Sequence, residues 1–406
     1  MSASTAPPTP RRRTATPRSV RRLRRLQSAA VALLLAFGAL VVTALAISFN
    51  ASTRAAESLT QYERLGEARV QALEVQQAAN TWALTPTDAV RTTVTDQLTT
   101  LSTTLADASA VDADRDRIVP LTGALVHYSM TLQDALNAKG EASAALLAQA
   151  DSQLSKQLLA PLENATAAAA DRMAGELTAS WLGWVIGGAV VAAGGLVAVL
   201  IALARTSHRY VNPGVALALL CALGSVVVLT LTTNAASSAA SGFADGSRAE
   251  VDAVATVRQQ LHQARADELL AVGLRAAGGS YQQRWTTATT TARAALTKLP
   301  KSTTAVAALD AYITAHGQVT AATGKAQWDT ASGLVTGTGA ATAGKTFTSL
   351  DGSLNTVNAN LRGPAISAVR SVENAVVGGI AGVIVLTLTG VWLAVWGVAR
   401  RIEEYR

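Results

Sequence analysis

Cysteine is nearly absent from this chain, and charged residues are few. Cys221 is the only cysteine in 406 residues and lies inside a long apolar run, so no disulfide can form within the chain. Any folded domain of this chain must therefore be held together by packing. Charged residues make up 15% of the chain and hydrophobic residues 50%. This balance argues against the two or three soluble domains that the length alone would allow.

Motifs for catalysis are also missing. The four histidines do not stand in metal-ligand spacing with one another, with the cysteine or with carboxylates. No phosphate loop, dinucleotide-binding glycine pattern or nucleophile elbow occurs. The stretch "DADRD" at 112–116 alternates acids like a calcium loop, but lacks the glycine and the distant glutamate of that loop. We therefore expect no enzyme, no catalytic residue, no metal and no cofactor.

Four apolar runs are long enough to cross a bilayer, which takes roughly 20 residues. None contains Asp, Glu, Lys, Arg or His. The sequence therefore predicts four transmembrane helices, at 29–49, 181–204, 214–233 and 376–398.

Basic residues flank these runs unevenly. Residues 1–28 carry eight arginines and no acid, and arginines also occur in the short link 205–213 and in the tail 399–406. Because cytoplasmic flanks are enriched in Lys and Arg, these three segments are predicted to be cytoplasmic, with a disordered N-terminus, in the plasma (cytoplasmic) membrane. Nucleic-acid binding by the N-terminus and signal-peptide cleavage after Ala46 are weaker alternatives.

The layout of span, outer segment and span occurs twice, which indicates an internal duplication. In the first outer segment, 50–180, apolar residues at helical spacing predict helices over 57–84, 88–109, 112–138 and 142–180. Thr87 offers a cap for the second helix, and Pro161 predicts a bend in the fourth.

The second outer segment, 234–375, repeats this plan. Its first helix is predicted to reach Ala277, its second to cover 281–299, and its third to start after a Ser302 cap and reach Trp328. The Gly-rich stretch 332–345 is interpreted as a mobile loop or an insertion, before a fourth helix from about Thr346. The predicted fold class is an all-α membrane protein with two extracytoplasmic antiparallel four-helix bundles, similar to the outer domains of chemoreceptors and sensor kinases.

A polar stretch, "ARADELLAVGLRAAGGSYQQRW" at 264–285, interrupts a domain rich in Ala and Thr. Arg265 and Glu268 are three residues apart, so they share a helix face. One interpretation is a solvated helix with an ion pair or two. The other is a polar docking face for a ligand or partner, formed by Arg265, Asp267, Glu268, Arg275 and Tyr281.

Two motifs give the chain a resemblance to a known family. Arg265, Ala266, Leu269, Arg275 and Tyr281 fit a pattern found after the third span in actinobacterial four-pass membrane proteins, although the acid is shifted by one residue and the glycine comes later, at Gly278. A second set fits the short tail of those proteins: Arg401, Glu404, Tyr405 and Arg406. This family works with a glutamine-binding-type lipoprotein and the cytosolic Ser/Thr kinase called protein kinase G.

The resemblance implies a membrane subunit for signalling, possibly of an amino acid. An extracytoplasmic solute-binding lipoprotein would dock outside, and the tail would dock a Ser/Thr kinase inside through Arg401, Glu404, Tyr405 and Arg406. Small-residue spacing at Gly183 with Gly187, and at Gly378 with Gly382, suits a packed set of spans or a homo-oligomer. The alternatives are a structural or assembly subunit of the envelope, an accessory subunit of a transporter, and direct sensing of a small ligand by one bundle.

Overall fold

The computed structural model describes residues 18–176, 213–242 and 248–403, together with residues 187–188, 191, 194–195, 197–199, 201–202 and 205. Within these residues the chain is almost entirely helical and has no strand. The prediction of an all-α protein is therefore confirmed.

The first half of the chain forms five described α-helices. They are α1 (Arg18–Leu84), α2 (Asp88–Ser109), α3 (Asp112–Asn137), α4 (Glu141–Gln153) and α5 (Ala160–Glu176). Helix α1 is 67 residues long and joins the first apolar run to the amphipathic segment after it without a break. The side chain of Thr87 accepts a hydrogen bond from the amide of Val90, 3.4 Å away, and so caps α2 as predicted.

The bend predicted at Pro161 takes the form of a wider turn upstream of the proline. Residues Leu154–Leu159 form a π-helical segment, and the amide of Ala160 donates to the carbonyl of Ser155. Proline has no amide hydrogen to give to the carbonyl four residues back, at Gln157. The helix accommodates this loss by a single π turn, which keeps α4 and α5 nearly continuous.

The second half forms six described α-helices. They are α6 (Pro213–Gly242), α7 (Arg248–Gly273), α8 (Gly279–Leu296), α9 (Thr303–Gly324), α10 (Trp328–Thr336) and α11 (Ala343–Glu403). A 3₁₀ turn, Arg275–Gly278, joins α7 to α8. Helix α7 therefore ends before the predicted Ala277. Arg275 has a φ of 52°, a left-handed conformation that ends a right-handed helix.

Two further predictions for the second half are wrong. Ser302 does not cap α9, because its hydroxyl donates to the carbonyls of Leu296 and Leu299, each 2.7 Å away. The Gly-rich stretch 332–345 is not a loop throughout, because most of α10 and the start of α11 lie in it, whereas the alternative interpretation as an insertion stays a prediction. Ala331 and Val335 of α10 are buried, so burial of this short apolar face outweighs the low helix propensity of glycine.

The described chain divides into two compact units. One consists of Met1–Asn50, Ala179–Ala236 and Val372–Arg406, and includes the apolar runs. Of the described residues, three helical segments are long and apolar enough to span a membrane: Arg24–Leu84, Pro213–Ala235 and Glu373–Arg400. This agrees with a membrane protein. The predicted span 181–204 lies mostly outside the described residues.

Glycines bring the helices of this unit close together. The Cβ of an alanine at Gly214 would lie 2.5 Å from the Gly397 Cα, and one at Gly38 would lie 2.4 Å from the Thr387 side chain. By contrast, no described atom lies within 4 Å of such a Cβ at Gly187, Gly378 or Gly382. The close contacts are therefore made at other glycines than those the spacing indicated, and Gly183 lies outside the described residues.

The other unit, which we call the outer unit after the position predicted for it, consists of Ala51–Thr178 and Ser237–Ser371. It holds two hydrophobic cores. The first core is built from α1 to α5 around Leu73, Leu101 and Leu132, and the second from α7 to α11 around Leu261, Leu309 and Leu350. Helix α7 serves both, because its Leu270 packs in the first core and its Leu269 in the second.

Candidate functional site

The polar residues predicted on α7 are buried. Asp267 and Glu268 have no exposed surface, and Arg265 is 7% exposed. The interpretation as a solvated helix is therefore wrong for these three residues, and they do not form an exposed face for a protein partner. Ion-pairing side chains can be buried only when their charges and hydrogen bonds are satisfied, so their partners define the site.

Glu268 is the centre of a network on the side of α7 that faces the second core. Its carboxylate pairs with Arg265 and accepts hydrogen bonds from the Tyr312 hydroxyl at 2.8 Å and from His316 Nδ1 at 2.6 Å. Burial acts to raise the pKa of Glu268, but Arg265 and the hydrogen bonds from His316 and Tyr312 outweigh it and hold the pKa below its ordinary value. Glu268 is therefore a buried carboxylate in its charged form.

Aromatic residues enclose the Glu268 network. The ring of Trp285 stacks on His316 with centroids 3.5 Å apart, and its Nε1 donates to the Tyr312 hydroxyl at 3.1 Å. His316 Nε2 lies 2.8 Å from the side-chain nitrogen of Gln282. The contact of Nδ1 with Glu268 and that of Nε2 with Gln282 fit an imidazole that donates from Nδ1 and accepts at Nε2.

Asp267, the neighbour of Glu268, lies on a different side of α7 and joins the two halves of the chain. Arg284 of α8 pairs with Asp267 and also donates to Asp151 of α4 at 3.1 Å. Gln263 donates to Asp267 at 3.1 Å. One guanidinium thus serves two buried carboxylates from different halves. Burial raises the pKa of Asp267 to about 6, with the nearby Asp151 charge adding to it and Arg284 opposing it.

A third set of contacts connects α7 with the two longest helices. The side-chain nitrogen of Gln77 in α1 donates to the carbonyl of His262 at 2.8 Å, and Asn80 donates to the carbonyl of Ala266 at 3.0 Å. On the other side, His262 Nε2 lies 3.0 Å from the carboxylate of Asp351 in α11. Helices α1, α7 and α11 are therefore linked by side chains within the outer unit.

The remaining predicted residues of the stretch lie at its edge. Arg275 is exposed and lies 3.7 Å from the carboxylate of Glu141, which is exposed too. Tyr281 is half-buried, packs against the first core and lies under the guanidinium of Arg284, 4.8 Å from its ring centre. Docking by Arg275 and Tyr281 stays a prediction. In the tail, Glu404, Tyr405, Arg406 and the side chain of Arg401 lie outside the described residues.

Sequence reasoning missed the partners that complete the network. Asp151, Tyr312 and His316 are far from the stretch along the chain, and only the fold brings them to it. One signal was present: His316 stands in the apolar stripe of α9 with Leu309, Tyr312 and Val319, a position that predicts burial. A buried histidine needs a polar partner, and Glu268 is that partner.

Two cavities open in the outer unit. One, of about 290 Å³, lies over Glu268 and His316, with Arg275, Gln282 and Trp328 also in its lining. The other, of about 320 Å³, lies among α1, α5, α7 and α11. Within the described part of the chain, no group of three or more His, Cys, Asp and Glu side chains could hold a metal ion.

Comparison of the chain with protein-family models, with curated proteins and with solved structures found no match.

Proposed function

We propose that this chain is a non-enzymatic membrane subunit that senses a condition outside the cell and relays it to a cytoplasmic partner. The observation that carries the proposal is that α1 and α11 each combine an apolar, span-length segment with side chains that bond to the polar network of α7. These side chains are Gln77 and Asn80 of α1 and Asp351 of α11. A shift in the network would therefore move helices that continue into the membrane.

The finer architecture belongs to the same proposal. Four spans would place both termini in the cytoplasm, and the two cores of the outer unit would be two extracytoplasmic four-helix bundles. The arginines at both ends and in the link 205–213 support this orientation. The first bundle would be mainly scaffold, because the polar network of Glu268 lies in the second.

The partners follow from the resemblance of the motifs. A solute-binding lipoprotein would dock outside, near the exposed Arg275 and the half-buried Tyr281. A Ser/Thr kinase would dock on the tail, where Glu404 and Tyr405 stand between Arg401 and Arg406. Charged groups of both signs beside one amphipathic ring suit a docking peptide. A homo-oligomer through the spans is compatible with this arrangement.

Signal transfer would use small movements of packed helices. Packed helices shift by about 1–2 Å between discrete arrangements. The network offers such alternatives, because Arg284 holds both Asp151 of one half and Asp267 of the other. A ligand or partner that strengthens one of these pairs over the other would shift the balance between two helix arrangements.

The test is capture of partners by crosslinking in native membranes. The full chain is compared with a chain that stops after Ala399, and with a full-length serine variant in which Glu403, Glu404 and Tyr405 are each replaced by serine. The serine variant keeps the arginines that favour the cytoplasmic position of the tail. We expect the full chain to capture a Ser/Thr kinase, and both the truncated chain and the serine variant to lose it. Equal capture by all three chains contradicts the relay and favours a structural subunit.

A further inference from the structure

The cavity of about 320 Å³ in the outer unit is lined by charged side chains from both halves of the chain. Three of them are arginines, each from a different helix: Arg69 of α1, Arg258 of α7 and Arg362 of α11. Five lining residues are carboxylates: Glu63, Glu67, Glu163, Asp171 and Asp252.

Arg258 is buried in this cavity without a hydrogen bond to any described residue. Its side chain is 9% exposed, and its Nε has no partner. The nearest carboxylate oxygens, of Glu67 and Asp351, are 3.6 Å and 3.8 Å from its terminal nitrogens, beyond hydrogen-bond length. A guanidinium has five N–H donors, and burying them unpaired is unfavourable. Arg258 is therefore ion-paired but not hydrogen-bonded, and the cavity has room for a group that accepts from its terminal nitrogens.

In the other two arginines only the Nε lacks a partner, because the terminal nitrogens pair with Glu163 in Arg69 and with Glu63 in Arg362. The Nε atoms of Arg69 and Arg362 are also buried and have no hydrogen-bond partner. Three such atoms from three helices thus lie around one cavity. Because burial disfavours the charged form, it lowers the pKa of Arg69 despite the opposing charge of Glu163. The residues around this cavity therefore include buried guanidinium N–H groups that no described acceptor satisfies.

Two of the carboxylates that pair with these arginines are more exposed than their arginines, whereas Glu63 is less exposed than its partner Arg362. Glu67 is 48% exposed and Glu163 is 66% exposed, whereas Arg258 and Arg69 are 9% and 15% exposed. Water at the rim weakens the attraction of these carboxylates for the arginines. The terminal nitrogens of Arg258 therefore favour an acceptor such as a carboxylate, and the exposed carboxylates at the rim favour a cationic group.

We propose that this cavity binds a small solute through a carboxylate group that pairs with Arg258, with Arg69 beside it. Guanidinium and carboxylate match in shape and can form two parallel hydrogen bonds. The volume is at the low end of the usual range for ligand pockets, about 300–1,000 Å³. A short-chain carboxylate fits that size, and an amine at its other end would meet Glu67 or Glu163. This site supplies a ligand for the sensing role proposed above. The biological purpose of the site rests on that role, whereas the binding itself does not.

Thermal unfolding of the full chain in detergent, at constant ionic strength, tests the site with three four-carbon probes. Succinate carries two carboxylates, 4-aminobutyrate carries a carboxylate and an amine, and 1,4-diaminobutane carries two amines. A ligand at about ten times its Kd should raise Tm by about 2–4 °C. We expect this rise with 4-aminobutyrate and with succinate and none with the diamine. The proposal would be overturned by equal shifts with all three probes, or by the absence of a shift with both succinate and 4-aminobutyrate.

The Arg258→Gln variant links the shift to this residue. The carboxylate-induced rise should be lost in this variant. Its Tm without probe is measured separately, because removing Arg258 also removes the ion pairs to Glu67 and Asp351. Arg293→Gln is the control, since Arg293 is 53% exposed on α8 and does not line the cavity. A carboxylate-induced rise that persists in Arg258→Gln contradicts the proposal. If that variant does not fold, Arg69→Gln should show a reduced rise, and an undiminished one counts against the site.

The two proposals fail separately. Carboxylate binding without tail-dependent kinase capture would contradict the relay and leave the site intact. Tail-dependent capture without any carboxylate effect on Tm would contradict this site alone.

Discussion

Arg284 and its two carboxylates show how single residues set the properties of the outer unit. Its guanidinium donates to Asp151 at 3.1 Å and also pairs with Asp267, which has no exposed surface. One positive charge shared by two acids leaves the trio with a net negative charge. Burial raises the pKa of Asp267 to about 6, with the charge of Asp151 adding to it and Arg284 opposing it.

This pKa predicts a specific pH dependence. Between pH 3.8 and about 6, folded Asp267 keeps a proton that the unfolded chain releases. The contribution of Asp267 to the free energy of unfolding therefore falls as the pH rises through this window, by on the order of 3 kcal/mol. Asp267→Asn removes this pH-dependent contribution. As the pH rises from 4 to 6.5, the free energy of unfolding of the variant should therefore increase relative to that of the wild type.

Unfolding of the full chain by urea across this pH range measures the difference. Glu141→Gln is the control, because Glu141 is an exposed acid and no pH-dependent gain is expected from it. Parallel pH profiles of wild type and Asp267→Asn would contradict the assignment.

At the scale of elements, most helices could be predicted from the sequence. The apolar periodicity places α2 and α3 to within a residue or two, and Pro86 with Thr87 ends α1 and starts α2. The errors occur where contacts between residues distant in sequence determine the local structure. Residues 332–345 are Gly-rich, but the second core buries one face of α10 and so stabilises the helix.

The error at Ser302 has a similar cause, because the local sequence does not fix the conformation of the connection. The sequence offered it as a cap for the helix after it, but its buried hydroxyl bonds to carbonyls that precede it, at Leu296, the last residue of α8, and at Leu299. Both uses satisfy groups at a helix end, and only the conformation of the connection chooses between them. For the site, local spacing could find Arg265 with Glu268, but not Asp151 or His316, which the fold brings in from other helices.

The role of Ser302 can be measured. Ser302→Ala removes this buried donor from the carbonyl of Leu296, at the end of α8, and from that of Leu299, which follows the helix. We expect the free energy of unfolding to fall by about 1–2 kcal/mol, the usual cost of a lost buried hydrogen bond. Ser349→Ala, which removes an exposed hydroxyl that bonds within α11, should have almost no effect. A loss of stability as large in the control would count against the buried role of Ser302.

At the scale of the whole molecule, α1 and α11 belong to both units of the chain. On the proposed function they transmit changes in the outer unit to the membrane segment, and the network around α7 is where those changes begin. The cavity with Arg258 lies among α1, α5, α7 and α11, so a solute bound there would contact both transmitting helices. The central claim is that binding outside alters the cytoplasmic tail.

The most direct test places a spin label near the tail and watches it while a solute binds. Cys221 is the only cysteine, so Cys221→Ser with Glu403→Cys gives one labelled position, at a residue that is exposed. In lipid nanodiscs, 4-aminobutyrate should change the mobility of this label, whereas 1,4-diaminobutane should not, and Arg258→Gln should abolish the change. A label spectrum that stays the same while 4-aminobutyrate raises Tm would contradict the account.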